Sequence, residues 1–508
     1  MTKKAVMVCI ALLAAVIVTN CATTSAKAEA EFDLTIFHTG DTHGHGLDAP
    51  DRSTIGYAKT LAYVNQFRNG KNGKDVLFLD AGDALYGTSD VNLSLGESNL
   101  QAMNMMGYDA FTLGNADFVY GGQQTLKLQK EANFPFLSAN VYYNGQRPFN
   151  PYIIKNFHGV SIAIVGLSPL SAMVAALDTQ LEGFTATNGA VELAGLMAEL
   201  KKNADIIIAL THIGKLDTNE NDEKLNVEAV LAAAPDIDVI IDGHDHILVS
   251  EDFLLHGKIM VNIGQYSEHL GVLTLTINPA TKTITGFNEQ ILDPVDFENI
   301  APDAKVAAHI ATTKAENARY LNEVVAHLSF ELEGRRQFVR SKQTSLGSVM
   351  TDAERELAQS DVDFTVGAFL RESLPAGDIT RGQIINSVPF TAPLVTRLMT
   401  GRQLVDFIEH NYTEREIIVP SFTHISGMNY TVDFSRPAGD RMTDIKIGGI
   451  DIDLDKQYAV SCNEQVSDYG IREIPIASRI DKQAAEILVD YLSTHQDIEP
   501  PTERVLIN

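Results

Sequence analysis

The sequence predicts a layered α/β domain followed by a smaller α+β domain, and three observations carry that reading. Between Glu31 and Pro294, short β-rich apolar runs alternate with helical or loop segments. Each of the clearest runs has three to six residues, which is strand length rather than helix length. Beyond an alanine-rich stretch at residues 304–319 the pattern changes to one long helical segment and then hairpin-like strands. A chain of 508 residues also exceeds one ordinary core, so more than one domain is expected.

The chain opens with Lys3 and Lys4 before an unbroken apolar run at residues 5–18, and Ala26-Lys27-Ala28 comes next. The run is too short to span a bilayer comfortably, whereas a short basic segment, an apolar stretch and small residues at this spacing make a signal peptide. Residues 1–28 are therefore expected to be a cleaved leader, leaving a periplasmic or secreted protein without a transmembrane helix. A lipid anchor on Cys21 is the competing reading, which Asn20, larger than the residue normally found before a lipidated cysteine, disfavours. Cleavage removes Cys9 and Cys21, so the mature chain keeps only Cys462 and has no internal disulfide.

The first domain is expected over residues 31–294. Its clearest strands are residues 32–37, 76–79, 161–165, 206–210 and 239–241. Ligands of open α/β sheets collect at the carboxyl ends of strands, so the residues directly after each run matter most. Gly40-Asp41-Thr42-His43 succeeds the first, Asp80-Ala81-Gly82-Asp83 the second, Thr211-His212 the fourth and Asp242-Gly243-His244-Asp245-His246 the fifth. A further apolar stretch at residues 110–113 runs into Gly114-Asn115. One Asp or His after a strand is ordinarily a loop residue or a helix cap. Five such segments in one domain point to a metal site, because carboxylate, amide oxygen and imidazole are the donors that hard and borderline divalent cations take.

Residues 295–325 read as a connecting helix and linker, and residues 326–508 as the second domain. That domain begins with a helical stretch at Ser345–Ala358 and later shows strand patterns at residues 445–452 and 458–461. A formal charge of −27 argues against nucleic acid or an anionic membrane as partner. The same charge repels phosphate, so a site for an anionic ester has to concentrate positive charge locally.

Taken in order, His38-Thr39-Gly40-Asp41-Thr42-His43-Gly44, Asp80-Ala81-Gly82-Asp83, Gly114-Asn115, Thr211-His212-Ile213-Gly214 and Gly243-His244-Asp245-His246 resemble the calcineurin-like metallophosphoesterases, specifically the bacterial 5'-nucleotidase and 2',3'-cyclic phosphodiesterase family. The likeness extends through the second domain by Arg340-x-x-Gln343-x-x-Leu346-Gly347, Pro375-Ala376-Gly377-Asp378-Ile379-Thr380, Pro389-Phe390, Ser426-Gly427 and Gly439-Asp440-Arg441. It implies a four-layer α/β/β/α sandwich followed by an α+β substrate domain. It also implies two divalent cations, manganese, zinc, iron or cobalt alike: one at Asp41, His43, Asp83 and His246, the other at Asp83, Asn115, His212 and His244, with Asp83 as the bridge. The substrate it implies is a small phosphoester, with nucleotide as the default class. Arg340 and Arg371 would hold the anionic end, and Phe422 would stack on the nucleobase.

The sequence departs from the family in two places. Where the family has a histidine after Gly-Asn and an aspartate three residues later, this chain has Ala116 and Val119. Loss of a group that stabilises transition-state charge commonly slows a reaction about 10²- to 10⁴-fold, so no residue is assigned the dyad's catalytic role. His45, Asp117 and Tyr120 stand nearby as substitutes, although each is more simply a loop polar residue or a partly buried aromatic. In the second domain the other stacking aromatic is replaced by Gln465, leaving Tyr469 or Phe369 to form that wall. Two alternatives to a nucleotide hydrolase stay open: a metal-retaining nucleotide or sugar-phosphate binder without useful turnover, and a related hydrolase of another ester, such as a sulfur-containing one.

Overall fold

Strict alternation along the strands decides the layering of the first domain. In the computed structural model the described residues are 30–507, apart from 49, 52, 71–72, 175, 177–179, 215–224, 413–418 and 496–497, and apart from the side chains of 173–174 and 467–469. The expected leader, Cys21 included, lies outside them. No helix among the described residues is long and apolar enough to cross a membrane.

The strands of the two large sheets are, in chain order, β1 (Phe32–Thr39), β2 (Val76–Asp80), β3 (Ala110–Thr112), β4 (Phe136–Leu137), β5 (Tyr152–Phe157), β6 (Val160–Leu167), β7 (Ile206–Thr211), β8 (Val239–Asp242), β9 (Leu254–Leu255), β10 (Lys258–Asn262), β11 (Leu270–Asn278) and β12 (Thr283–Leu292). One six-stranded sheet has the order β12-β11-β1-β2-β3-β4 and the other β9-β10-β8-β7-β6-β5. Leu34, Ile36, Leu77 and Leu79 of the first sheet meet Ile162, Ile164, Ile206 and Ile208 of the second in one core between them. Side chains one position away point outward: Phe37 and Phe78 pack on helices α1 (Tyr57–Arg68) and α2 (Glu97–Met106). On the far side Ile207, Ala209 and Ile240 pack on α3 (Gly189–Asn203) and α4 (Val227–Ala233). The order of layers is thus helix, sheet, sheet, helix. Each buried aliphatic in these layers contributes about 1.5–3 kcal/mol relative to exposure.

Neighbouring strands β1 to β4 run parallel, and so do β6, β7, β8 and β10. Every loop singled out for its donors therefore leaves a sheet at its carboxyl edge. At that edge the same device appears in both sheets. Thr39 Oγ1, at the end of β1, donates to Asp80 Oδ2 at the end of β2 over 2.6 Å, and Thr211 Oγ1 donates to Asp242 Oδ1 over 2.6 Å. Each aspartate also accepts a backbone N–H from a loop at that edge: Asp80 from Gly82, just beyond it, and Asp242 from Ile213, just beyond Thr211.

The connecting segment is a helix, α5 (Ala304–Leu321), capped by Asp303, whose Oδ1 accepts from the N–H groups of Lys305 and Val306. Val306 is buried in the first domain's helical layer, so the connector is anchored there. In the second domain, helix α6 is Ser345–Ala358, with the predicted bounds, and its Thr344 cap accepts from Gly347 N–H. A five-stranded sheet of β13 (Val362–Val366), β14 (Pro393–Thr400), β15 (Thr423–Ser426), β16 (Gln457–Asn463) and β17 (Ile476–Gln483) has the order β15-β13-β16-β14-β17. The predicted hairpin pairs Met442–Ile447 with Ile450–Asp451. Its turn is Gly448-Gly449, both at positive φ (58° and 81°), as a two-residue hairpin requires. The strand expected at residues 458–461 belongs to the other sheet, as the middle of β16.

Two carboxyl groups of the second domain, Glu354 on α6 and Asp363 on β13, are buried within hydrogen-bonding reach of each other. Burial pushes both above the ordinary carboxylate range, Glu354 to about 8, and Glu354 adds to the rise of Asp363. A carboxyl whose folded pKa exceeds its unfolded value favours the fold fully only below the unfolded value, and the benefit disappears as pH rises through the folded one. The urea midpoint is therefore expected to fall between about pH 4.5 and 8, and Glu354→Gln is expected to flatten that fall. An unchanged pH profile in the variant would contradict this assignment.

Candidate metal centre

Five of the seven candidate donors sit in the left-handed region that L side chains avoid: Asp41 (φ 49°), His43 (45°), Asp83 (56°), His244 (87°) and His246 (60°). Such conformations cost of order 1–3 kcal/mol each and persist only where surrounding bonds impose them. Here the bonds run between loops. Asp41 N–H donates to Gly82 O (2.8 Å) and His43 N–H to Asp83 O (2.9 Å), joining the turn after β1 to the turn after β2. His244 N–H donates to Asp41 Oδ2 (2.8 Å), joining the first sheet to the second. Close approach also demands glycine at two positions. A Cβ on Gly114 would stand 2.1 Å from Asp83 Oδ1, and one on Gly243 would stand 2.8 Å from Asp41 Oδ2.

All seven side chains converge. His43 Nε2 is 3.1 Å from His246 Nε2, and His246 Nε2 is 3.3 Å from Asp41 Oδ1. His212 Nε2 is 3.2 Å from Asp83 Oδ2 and 3.8 Å from Asp41 Oδ1. His244 Nδ1 and Asn115 Oδ1 are 2.9 Å apart. Two triads with one ligand atom each inside 4.8 Å result, Asp41-His43-His246 and Asp41-Asp83-His212. Asp41 and His212 are both 0% exposed, yet Asp41 Oδ1 and His212 Nε2 have no hydrogen-bond partner. Nearly every buried polar atom in a native fold is paired, so an open carboxylate oxygen beside an open imidazole nitrogen fits a cation. His212 is also turned for ligation, because its Nδ1 is committed to Ala81 O at 2.6 Å and its Nε2 faces the site.

The local field draws positive charge. Burial alone would raise Asp41, but His212 and His246 outweigh it and leave its pKa low. Asp83 is held far below the carboxylate range by His212 and His43, again against burial. Burial takes His43 down to about 3 and His244 to about 4, so both are neutral, the ligating form of imidazole. His212 goes the other way: the two aspartates overcome its burial and push it well above the usual imidazole range.

Around this centre the structure separates the remaining expectations. Ala116 and Val119 form an apolar patch with Tyr86, and Tyr120 packs against it. Asp117 is wholly engaged as an acceptor: its two oxygens take the N–H groups of Asp83, Ala84, Leu85 and Gly114 at 2.8–3.1 Å. It is thus a loop organiser rather than a replacement acid. Tyr120 donates to Asn92 Oδ1. His45 lines the cleft above His43, with its Nδ1 paired to Asp48 Oδ2 at 2.7 Å, and repeats the His-x-x-Asp spacing absent at Ala116 and Val119.

Arg371 of the second domain lines that same cleft, with His43, Tyr86 and Tyr266. Arg340 is partly buried at the end of the helical turn Arg336–Val339. Phe422 stands apart from the role expected of it. It is 0% exposed in the second domain's core, edge-on to Tyr412 and His424, and presents no open face for a nucleobase. Phe369 stacks on Phe390 with ring centroids 3.9 Å apart, Gln465 is buried, and the Tyr469 side chain lies outside the described residues. Two neighbours of the centre carry no mark in the expected donor pattern. Arg336 Nη1 reaches His246 Nδ1 at 3.2 Å; its signal was its place one helical turn before Arg340. Tyr266, at φ 56°, stands edge-on to His43 and His246, and nothing in its sequence context marks it.

Residues 34–248 match the calcineurin-like phosphoesterase family, and residues 324–470 match the 5'-nucleotidase C-terminal domain. The chain is 26% identical over 530 residues to the 5'-nucleotidase of Vibrio cholerae, a match that covers 94% of each. It is 28% identical over 491 residues to the trifunctional nucleotide phosphoesterase protein YfkN of Bacillus subtilis, covering 86% of this chain and 32% of that longer protein. The fold superposes on the 5'-nucleotidase precursor from Thermus thermophilus with a TM-score of 0.78 at 24% identity, covering 94% of this chain and 99% of the other. With both halves matched in order, the chain belongs to the family of metal-dependent hydrolases that joins a calcineurin-like phosphoesterase domain to a 5'-nucleotidase C-terminal domain.

Proposed function

We propose that this protein is an exported phosphoester hydrolase that works with two divalent cations on nucleotides or related esters. The observation that supports it most directly is the pair of open, fully buried atoms, Asp41 Oδ1 and His212 Nε2, where loops from both sheets meet. One cation would be held by Asp41, His43, Asp83 and His246, the other by Asp83, Asn115, His212 and His244. Asp83 suits the bridge, since its Oδ2 lies 3.6 Å from His43 Nε2 and 3.2 Å from His212 Nε2. When bound, such a pair supplies Lewis acidity to the phosphoryl oxygens and to an attacking water. Export rests on the leader pattern of residues 1–28.

The chain's own residues supply position and charge. Asp117 fixes the backbone of Asp83, and Ala116 N–H donates to Asp83 Oδ1 at 2.7 Å, which leaves Oδ2 to the centre. Arg371 and Arg336 bring forked positive charge from the second domain to the anionic end of a substrate, and Arg340 caps the helical turn that carries Arg336. Contact of Arg336 with His246 Nδ1 and ligation through His246 Nε2 exclude each other, because the ring proton must then sit on Nδ1. Engagement of His246 therefore frees Arg336 for the ester. The Ala116 and Val119 surface has no proton to offer a leaving group, so esters with good leaving groups should react fastest.

Purified protein supplied with Mn²⁺, Zn²⁺ or Co²⁺ is expected to release product from an aryl phosphate faster than from a nucleoside monophosphate, a cyclic nucleotide or a UDP-sugar. Tight nucleotide binding with no turnover of any of these would replace the hydrolytic reading with that of a binder. Asp83→Asn should lower kcat/KM by about 10²-fold or more and reduce bound metal measured by elemental analysis; full activity would remove Asp83 from the site. Asp117→Asn leaves backbone donors facing an amide, so a loss of about 1–3 kcal/mol in urea unfolding together with lower metal content is expected. Unchanged metal content in that variant would contradict its role in holding Asp83.

A further inference from the structure

The space expected to hold a histidine and an aspartate is closed here by a tyrosine. Tyr86 is 3% exposed, and its ring packs on Ala116 and Val119, with Tyr120 edge-on at 5.7 Å. Its hydroxyl does not face the metal-ligand residues. It donates across the domain boundary to Pro389 O at 2.8 Å. The next residue, Phe390, is 6.3 Å from the Tyr86 ring, stacks on Phe369, and carries the Arg371 guanidinium over its face at 5.3 Å. A continuous run of contacts thus leads from the wall beside Asn115 to Arg371, and Arg371 shares the cleft with His43.

We infer that Tyr86 is a positioning residue that docks the Pro389-Phe390 segment on the metal-bearing domain and thereby sets Arg371 against the phosphoryl group, so that a fixed guanidinium supplies charge stabilisation in place of the missing imidazole. The physical case has three parts. A buried hydroxyl bonded to a backbone carbonyl fixes position, because leaving that carbonyl unpaired is unfavourable. An arginine resting on an aromatic face loses part of its rotational freedom before substrate arrives. A preorganised cation stabilises developing negative charge without reorganising during the reaction. The inference rests on the hydrolytic reading above, and it differs from that reading in resting on coupling between two side chains.

Tyr86→Phe and Tyr86→Leu, each made in the native protein and in an Arg371→Ala background, test it with kcat/KM on an aryl phosphate and metal content by elemental analysis. In the native background Tyr86→Phe should lower kcat/KM about fivefold and Tyr86→Leu about twentyfold, with metal content unchanged. In the Arg371→Ala background neither should change the rate more than about twofold, because the residue through which Tyr86 acts is gone. Equal losses in both backgrounds, native rates in both tyrosine variants, or loss of metal from Tyr86→Phe would each overturn the assignment. Absence of turnover in the native protein is the failure of the hydrolytic reading instead. The same cycle is then run on orthophosphate affinity by calorimetry, where a loss confined to the native background supports the coupling and additive losses overturn it.

Discussion

A carboxylate taken fully out of water is tolerated only when charge or hydrogen bonds compensate it, and Asp41 is the point where that requirement binds the molecule together. One of its oxygens is satisfied by His244 N–H, from the opposite sheet. The other faces three imidazoles at 3.3–3.9 Å and accepts from none of them. Much of the first domain serves to keep this group in place. Parallel strands put the loops at one edge, the Thr39–Asp80 and Thr211–Asp242 pairs set where those loops begin, and Asp117 holds the turn that carries Asp83. The left-handed backbone at five donor positions is the energetic trace of the same demand.

The two domains contribute unlike charge to one cleft. The first supplies carboxylates and mostly neutral imidazoles, which bind cations; the second supplies Arg336 and Arg371, which bind anions. In a chain with a formal charge of −27 this arrangement sets two guanidinium groups beside the candidate metal donors. The apolar wall of Ala116, Val119 and Tyr86 lies at that boundary, so the feature that weakens proton transfer to a leaving group also shapes how the domains meet.

Most of the fold and the loops that bring the candidate donors together were legible in the sequence for a common reason. Strands buried on both faces leave continuous apolar runs, and a polar segment directly after a strand leaves a fixed spacing, so the five loops could be picked out from order, while the family resemblance singled out Asp41, His43, Asp83, Asn115, His212, His244 and His246 within them. Contacts that depend on tertiary approach left no such mark. Tyr266 reaches the site only because its chain takes a left-handed turn, and Arg336 only because a short helical turn sets it opposite His246. Phe422 shows the converse. An aromatic residue at a family position reads the same whether its ring is open or sealed, and here Tyr412 and the core seal it.

The central claim is that Asp83 lies between two cations. Crystals of the purified protein grown with Mn²⁺ and measured for anomalous scattering test it most directly. Two peaks about 3.5–4 Å apart on either side of the Asp83 carboxylate, one beside His43 and His246 and the other beside His212 and His244, are the predicted result. A single peak, or none after metal supplementation, would contradict the account.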